Sequence, residues 1–265
     1  MAKAAKIGQN FLHDKNIASK IIDVFLPQAP GPVLEIGAGP GILSGLLLEK
    51  IPPERITLVE IDPFLARELR ERFGARTQVL EKDILETDLA GLYPEGQVAI
   101  IGNLPYYISK ELLDWFIAQR ARIGAAVVML QRDFVDKLLS AENQKKYNAQ
   151  SIVFQTFFQT RRCFNVPAGA FQPAPKVTST VLAIRPNLSP FLPAAAEFYP
   201  FVRLCFGERR KTLLNNLAPH FEKQELAAAA GACGIPDRAR AEQLPAERFA
   251  ALFAALKKSA PDRRP

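Results

Sequence analysis

The sequence feature that most constrains the fold is an apolar run that ends in a glycine-rich turn and leads into a second apolar segment. Residues 32–36 read PVLEI, residues 37–41 read GAGPG and residues 42–48 read ILSGLLL. A short apolar run bounded by turn residues is typical of a buried strand. Glycines let the backbone turn sharply and let another molecule approach the main chain. The pattern therefore predicts a buried strand, a tight turn and a helix in direct succession.

The same alternation of short apolar runs and amphipathic segments continues along the chain. Further strands are predicted at residues 55–60, 77–80, 97–101 and 125–130. Helices are predicted at residues 64–73, 109–120 and 133–140. Strands that alternate with helices form a parallel sheet that is covered on both faces. The predicted fold class is therefore α/β with a mostly parallel sheet.

Two later apolar segments break this alternation. Residues 151–158 and 178–184 are rich in β-branched and aromatic residues, which favour strands. No long helix separates them, and the loop between them, at residues 165–176, contains three prolines. We expect these two segments to form an antiparallel pair of strands at the end of the sheet.

A proline-rich segment divides the chain into two predicted domains. Residues 185–193 read RPNLSPFLP, and three prolines among nine residues are incompatible with regular structure. The segments that follow have helical character, at residues 197–206, 209–217, 223–231 and 246–257. The sequence thus predicts a large α/β domain at residues 1–186 and a small helical domain at residues 187–265.

The composition excludes several function classes. The longest apolar run, at residues 123–130, is too short to cross a membrane, and the N-terminal residues lack the apolar core of a secretory signal. Cys163, Cys205 and Cys233 have no CxxC spacing, and the chain has two histidines, so we expect reduced thiols in a cytoplasmic protein without a metal site. A net charge of +7 favours a polyanionic partner such as nucleic acid.

Carboxylates after the second and third predicted strands define a candidate ligand site. Glu60 ends the second strand, and Asp83 follows the third. Open α/β sheets bind ligands at this edge, where one carboxylate can accept both ribose hydroxyls. Ile42 stands where the dinucleotide fingerprint GxGxxG requires its third glycine. The spacing therefore favours a nucleoside cofactor without phosphates, such as S-adenosylmethionine; a tight turn without a ligand is the alternative.

The fourth predicted strand runs into the sequence GNLPYYIS at residues 102–109, which contains no acid and no base. A methyl group on a sulfonium is already activated, so its transfer requires orientation of the acceptor. The Asn103 side-chain oxygen and the Leu104 carbonyl can each hold one hydrogen of an adenine amine. Pro105 restricts the backbone of Leu104, and Tyr106 offers a ring on which an unstacked base can stack. An ordinary strand-to-helix turn is the alternative interpretation.

Eight motifs resemble those of the ribosomal RNA adenine dimethyltransferase family, in the family's order and over nearly the whole chain. Each motif is weak by itself, whereas eight in order are specific. The motifs are QNFLHD at 9–14, LEIGAGPG at 34–41, VEID at 59–62, KDIL at 82–85, GNLPYYIS at 102–109, LQRDFVDKL at 130–138, AFQPAPKVTS at 170–179 and FGERRKTLLNNL at 206–217.

The resemblance implies a Rossmann-like class I methyltransferase sheet with an antiparallel strand at its end and a small helical RNA-binding domain. It implies dimethylation of two adjacent adenines in the 3′-terminal hairpin loop of small-subunit ribosomal RNA, with S-adenosylmethionine as donor and no metal. It also implies a role in late assembly of the small ribosomal subunit. We expect a cytoplasmic monomer that does not bind membranes.

The resemblance further assigns roles to individual residues. The implied cofactor-binding residues are Asn10, Leu12, Gly37, Gly39, Glu60, Asp83 and Asn103. The implied catalytic residues are Asn103, Leu104, Pro105, Tyr106 and Phe171, with Phe171 stacked on the target base opposite Tyr106. The implied RNA-binding residues are Arg209, Arg210 and Lys211. Without the resemblance, Phe171 would be interpreted as packing in a proline-rich loop and the charge run as a solvated helix face.

Two positions depart from the family pattern, and three other functions stay open. Ala38-Gly39-Pro40 stands where the family often has Pro-Gly-Leu, and Tyr107 stands where many bacterial members have Asn. The alternatives are a methyltransferase for large-subunit RNA, a non-catalytic assembly factor and an NAD-dependent oxidoreductase. The segments RRKTLLNNL and GIPDRARAEQL favour the small-subunit enzyme, intact Asn103 disfavours the assembly factor, and Ile42 disfavours the oxidoreductase.

Overall fold

The computed structural model describes residues 10–259, apart from the side chains of Tyr106, Lys258 and Ser259. The strands of this part of the chain are β1 (Phe11–Leu12), β2 (Val33–Ile36), β3 (Ile56–Glu60), β4 (Gln78–Glu81), β5 (Val98–Asn103), β6 (Ile123–Gln131), β7 (Phe158–Val166), β8 (Phe171–Gln172) and β9 (Ser179–Pro186). Seven of them form one sheet in the order β4-β3-β2-β5-β6-β9-β7, and β1 and β8 form a separate two-stranded sheet.

The large sheet is parallel from β4 to β6, as the alternation of strands and helices predicts. Every residue of β2 and β3 is buried, because these strands are covered on both faces. β9 runs antiparallel to β6, with Met129 opposite Val181. The predicted fold class, a mostly parallel sheet with an antiparallel strand at its end, is therefore confirmed.

Helices follow the parallel strands at the predicted positions, and some of them begin at a side-chain cap. Asp62 precedes the helix at Pro63–Phe73, and its carboxylate accepts hydrogen bonds from the backbone N–H groups of Phe64 (2.9 Å) and Leu65 (3.3 Å). The helices up to β7 are α1 (Lys15–Phe25), α2 (Ile42–Leu48), α3 (Pro63–Phe73), α4 (Leu89–Leu92), α5 (Ser109–Gln119), α6 (Arg132–Leu138) and α7 (Ala149–Phe157).

The prediction of a strand at residues 151–158 is wrong, because this segment forms α7. The apolar residues of its sequence, SIVFQTFF, recur with neither a clear strand period nor a clear helix period, so periodicity does not separate a buried helix from a buried strand. The helix start is fixed locally: the Asn148 side chain accepts from the Gln150 N–H (2.8 Å), and the Ser151 hydroxyl accepts from the Asn148 N–H (3.2 Å). The neighbour of β9 at the end of the sheet is therefore β7.

The chain separates into two compact units that interleave in sequence. One contains the residues up to Val135 together with Gln159–Pro186, and the other contains Asp136–Phe158 together with the chain from Asn187 onward. The second unit thus takes in a segment that the predicted domain at residues 1–186 had included. Within this unit the hydroxyl of Tyr147 donates to the carbonyl of Leu244 at 2.9 Å, which ties the segment to the C-terminal helices.

The helices after β9 are α8 (Ala195–Cys205), α9 (Leu213–Leu217), α10 (Lys223–Ala232) and α11 (Ala246–Ser259). The predicted helix at residues 209–217 is wrong in its first half. Thr212 caps α9 by accepting from the Asn215 N–H at 3.2 Å, so residues 209–211 lie in the turn before the helix. No helix in the described part of the chain is long and apolar enough to cross a membrane.

Candidate active site

A pocket opens where β2, β3 and β5 end, the edge at which parallel sheets of this kind bind ligands. Residues from four separate motifs line it together. They are Asn10, Phe11, Gly37, Gly39, Glu60, Ile61, Asn103, Leu104, Pro105 and Tyr107.

The turn between β2 and α2 depends on glycine at two points that face the pocket. Gly37 and Gly39 have φ angles of +66° and +55°, which other residues rarely adopt. A side chain at Gly39 would also lie 3.2 Å from the ring of Phe11. The turn therefore leaves bare backbone against which a ligand can lie.

Glu60 is fixed at the end of β3 by hydrogen bonds to both oxygens of its carboxylate. Oε2 accepts from the Gly39 N–H at 2.8 Å, and Oε1 accepts from the Asp62 N–H at 2.9 Å. Burial raises the pKa of Glu60, while these backbone hydrogen bonds act in the opposite direction. A carboxylate has about four acceptor positions, so Glu60, which lines the pocket, keeps capacity to accept a ribose hydroxyl.

Glu35 is a buried carboxyl that the sequence analysis assigned no role. It lies within β2, is 1% exposed and accepts a hydrogen bond from the Ser44 hydroxyl at 2.7 Å. Burial raises its pKa to about 8, and the nearby Glu60 carboxylate adds to this rise. An acidic residue inside an apolar strand, directly before a glycine turn, was the available signal.

Asn103 ends β5, where its side chain meets the N-terminal segment. Its amide nitrogen donates to the carbonyl of Asn10 at 3.0 Å, across 93 positions of sequence. The next residue, Leu104, donates its N–H to the carbonyl of Met129 at 3.1 Å, which continues the pairing with β6. The structure thus brings Asn10, Asn103, Leu104 and Pro105 to one pocket, as the sequence analysis predicts.

Asp83 lies near the pocket without lining it. Its carboxylate accepts from the Leu85 N–H at 2.9 Å and so caps a short 3₁₀ turn, and its carbonyl accepts from the Thr87 hydroxyl at 2.9 Å. Leu12 also does not line the pocket; its side chain is 5% exposed and belongs to the hydrophobic core. The structure therefore does not place the Leu12 side chain at the pocket, and its predicted cofactor contact has no support from this position.

Two adjacent tyrosines follow Pro105. The side chain of Tyr106 lies outside the described part of the chain, so its stacking role stays a prediction. Tyr107 lines the pocket and is 55% exposed. Partial burial raises the pKa of Tyr107, and the carboxylates of Asp83 and Glu60 raise it further. The Tyr107 hydroxyl therefore lies close enough to both carboxylates for their charges to act on it.

Phe171 is placed differently from the family-based expectation. Its ring is 1% exposed and belongs to the same hydrophobic cluster as Leu12 and Ala170. A ring without an exposed face cannot stack on a base, so the expectation of a stacking Phe171 is corrected for this conformation. The alternative interpretation, packing within the proline-rich loop, describes what the structure shows.

The charge run of the second unit is exposed on a well-held turn. Arg209, Arg210 and Lys211 are exposed, and Lys211 forms an ion pair with Glu208 at 2.6 Å. The side chain of Asn216 accepts from the Glu208 N–H (3.1 Å) and donates to the carbonyl of Cys205 (2.9 Å). These bonds hold the turn against α9, so the two arginines project from an ordered backbone.

The fold and the pocket define the class of protein. Four features together are typical of a methyltransferase. They are a mostly parallel Rossmann-like sheet, a glycine turn after β2, a carboxylate at the end of the neighbouring strand and the sequence Asn-Leu-Pro-Tyr at the end of β5. Within residues 10–259, no group of three or more His, Cys, Asp or Glu residues is arranged to hold a metal ion.

Comparison with known proteins identifies the family. Residues 2–258 match the family described as ribosomal RNA adenine dimethylase, and the chain belongs to this family. It is 36% identical to the ribosomal RNA small subunit methyltransferase A of Chlorobium phaeobacteroides over 257 residues, which covers 97% of this chain and 95% of the relative. The protein of that name from Desulfitobacterium hafniense is also 36% identical, with 97% and 94% covered.

Two solved structures share the fold over almost the whole chain. A dimethyladenosine transferase from Plasmodium falciparum superposes with a TM-score of 0.79 at 24% identity and covers 94% of this chain and 98% of its own. The 23S rRNA methyltransferase ErmE superposes with a TM-score of 0.70 at 25% identity and covers 94% and 100%. The family model and the 36% identical relatives thus confirm the family resemblance that the sequence motifs indicate, and these two structures agree with it in fold.

Proposed function

We propose that this protein dimethylates the exocyclic amines of two adjacent adenines in the 3′-terminal hairpin loop of small-subunit ribosomal RNA, with S-adenosylmethionine as donor. The observation that carries the proposal is the placement of Asn103 and Leu104 in one pocket with the glycine turn and Glu60. The names of the 36% identical relatives support the small subunit as the source of the RNA. We further propose that the protein acts as a cytoplasmic monomer on the assembling subunit.

The residues of the pocket fit S-adenosylmethionine. Glu60 would accept the ribose hydroxyls, the bare backbone at Gly37 and Gly39 would lie against the cofactor, and the free carboxylate oxygen of Asp83 would face the adenine amine. When bound, the donor supplies a methyl group that its sulfonium charge already activates. The carboxylate of Glu60 supports this fit, because it is 3% exposed, lines the pocket and keeps lone pairs for a ligand.

Asn103 and Leu104 would hold the acceptor. Because the amide nitrogen of Asn103 donates to Asn10, its Oδ1 remains for one hydrogen of the adenine amine. The Leu104 carbonyl, aimed by Pro105, would take the other hydrogen. Held in this way, the amine would present its nitrogen lone pair to the methyl group that the bound donor would supply; S-adenosylhomocysteine would be the leaving group, and the amine would release one proton to solvent. Orientation supplies the main rate gain in such a step.

The proposal is tested with purified protein, unmethylated small ribosomal subunits and isotope-labelled S-adenosylmethionine. We expect labelled dimethyladenosine at two adjacent positions of the terminal hairpin, read by mass spectrometry of RNA fragments. Because the fold also resembles ErmE, unmethylated large-subunit RNA is assayed in parallel. Label in large-subunit RNA alone would replace the small-subunit assignment, and label in neither RNA would refute the proposed activity.

The exposed turn of the second unit would bind RNA phosphates. We predict that Arg210→Glu weakens RNA binding about tenfold near 0.1 M salt and lowers the slope of log affinity against log salt by about one. The matched control is Arg238→Glu, which reverses an exposed arginine of the same unit outside this turn. Filter binding across a salt series measures both. Equal losses in the two variants would indicate net charge rather than a specific contact.

A further inference from the structure

A short segment at the start of the described chain connects two motifs that are distant in sequence. We call residues 10–13 the strap. Its Phe11 and Leu12 pair with Gln172 and Phe171 as β1 and β8, and its His13 N–H donates to the carbonyl of Ala170 at 3.0 Å. At its other end, the Asn10 carbonyl accepts from the Asn103 amide at 3.0 Å. The strap therefore joins the proline-rich loop to the end of β5.

The Asn10 carbonyl determines which way round the Asn103 carboxamide lies. A carbonyl oxygen only accepts hydrogen bonds, so the NH₂ group of the carboxamide must face it. The reverse orientation would place two acceptor oxygens about 3 Å apart. The contact thus reserves Oδ1 of Asn103 for another donor, which is the orientation that an adenine amine needs. This orientation depends on where the strap lies.

The position of the strap depends in turn on Phe171. The ring of Phe171, at 1% exposure, and the side chain of Leu12, at 5%, belong to one hydrophobic cluster. Two residues of strand pairing alone give little stability, because isolated pairs of strands are marginal in water. Burial of the Phe171 ring contributes far more free energy, so it is the feature that anchors β8 and, through β8, the strap.

We propose that Phe171 is a positioning residue for Asn103. Its buried ring fixes β8, β8 fixes the strap, and the strap carbonyl of Asn10 orients the Asn103 carboxamide toward the target amine. This inference rests on the proposed role of Asn103 in methyl transfer. It differs from base stacking in one physical respect: an anchor needs apolar volume in a buried site, whereas a stacking partner needs an accessible aromatic face.

Two substitutions at Phe171 distinguish an anchoring role from a stacking role. An anchor predicts that Phe171→Leu is more active than Phe171→Tyr, and a stacking partner predicts the opposite order. Phe171→Leu keeps apolar volume, and we expect its kcat to stay within about threefold of the wild type. Phe171→Tyr places a hydroxyl in a buried apolar site, which is costly, and we expect a lower kcat and melting temperature than for Phe171→Leu. Both variants should keep the wild-type KM for RNA, because the ring does not touch the base.

The opposite order would overturn the inference. If Phe171→Tyr is fully active while Phe171→Leu is impaired with a raised KM for RNA, Phe171 stacks on the target base. The control is Phe25→Ala, which removes another fully buried ring of the same hydrophobic cluster, outside the strap and β8. Phe25→Ala and Phe171→Ala should both lower the melting temperature, but only Phe171→Ala should lower kcat at least tenfold at a temperature where both are folded. An equal kcat in the two variants would reduce Phe171 to a purely structural residue.

Coupling to Asn103 provides an independent measurement. If Phe171 acts through Asn103, Phe171→Ala should lower kcat much less in an Asn103→Ser background than in the wild type. Equal effects in both backgrounds would contradict the inference. If the wild-type protein does not methylate the RNA, both the proposed function and this inference are refuted. If the wild type is active but Phe171→Tyr is more active than Phe171→Leu, this inference alone is refuted.

Discussion

The two sides of the pocket are held by different kinds of contact. The cofactor side, which we define as the turn at residues 37–41 with Glu60, is fixed by hydrogen bonds from the backbone N–H groups of Gly39 and Asp62 to the Glu60 carboxylate. The target side, which we define as Asn103, Leu104 and the strap, is fixed by a contact across 93 positions of sequence. The cofactor side is thus already rigid within the sheet, while the target side depends on a distant segment being in place.

The largest expected effect comes from breaking the long-range contact of the target side. Asn103→Asp keeps the shape of the side chain but replaces its NH₂ group with an oxygen that cannot donate to Asn10. Two acceptors would then lie about 3 Å apart and displace each other. We expect kcat to fall by about 100- to 1,000-fold, the scale seen when one positioned group at a reacting centre is lost.

Single-turnover methylation of small-subunit RNA measures this loss. The companion variant Asn103→Ala removes the amide without adding the repulsion, so its melting temperature should stay closer to that of the wild type. More than a tenth of wild-type activity in Asn103→Asp would show that the contact with Asn10 does not orient the amide.

The next effect tests the cofactor side. In the wild type, the two carboxylate oxygens of Glu60 each accept from one backbone N–H group. Glu60→Gln keeps only one acceptor oxygen, and its NH₂ group would face the other N–H donor. We expect S-adenosylhomocysteine to bind about 10- to 100-fold more weakly, which corresponds to roughly 1.4–2.8 kcal/mol. Isothermal titration calorimetry measures the change. The control Asp62→Asn alters the adjacent carboxylate and should have a much smaller effect on binding.

The smallest effect on cofactor binding is expected at Glu35, which is buried within β2, two residues before the glycine turn. Because burial raises its pKa to about 8, Glu35 stays protonated in the folded protein at pH values where the unfolded chain has released the proton. Stability should therefore fall as the pH rises from about 4.5 to about 8 and then level off. We expect a loss of roughly one to four kcal/mol across this range.

Glu35→Gln removes this pH dependence. Its side-chain oxygen can still accept from the Ser44 hydroxyl, so the variant should match or exceed the wild-type stability near pH 8. Thermal denaturation at pH 5, 6.5 and 8 shows the difference as a flatter profile for the variant. The cofactor affinity should change less than threefold. If stability depends on pH in the same way for Glu35→Gln and the wild type between pH 5 and 8, Glu35 is ionised in the folded protein.

The sequence allowed the glycine turn and Glu60 to be placed correctly, but not the ring of Phe171. The glycine turn and Glu60 belong to strand-end motifs whose positions follow once the parallel sheet is recognised. Phe171 was assigned to the target base by resemblance, yet tertiary packing places its ring in the core. Nothing in the spacing of AFQPAP indicates burial, because a proline-rich loop has no period from which an inward face can be inferred.

The prediction for residues 151–158 failed for a related reason. An apolar run without periodicity fits a buried strand and a buried helix equally well, and the Asn148 cap that decides between them is a two-residue signal. The sequence predicts a helix that includes residues 209–211, whereas Thr212 caps α9 after them and leaves them in an exposed turn.

By itself the sequence determined the parallel sheet, the antiparallel strand that pairs with β6, the glycine turn, the family and several of the residues that line the pocket. These follow from hydrophobic periodicity and from motifs whose conformational requirements are local. Only the tertiary structure decided that the Asn10 carbonyl meets the Asn103 amide, that Phe171 is buried and that residues 136–158 join the second unit. Such contacts depend on which surfaces lie against each other after folding, and no local pattern records that.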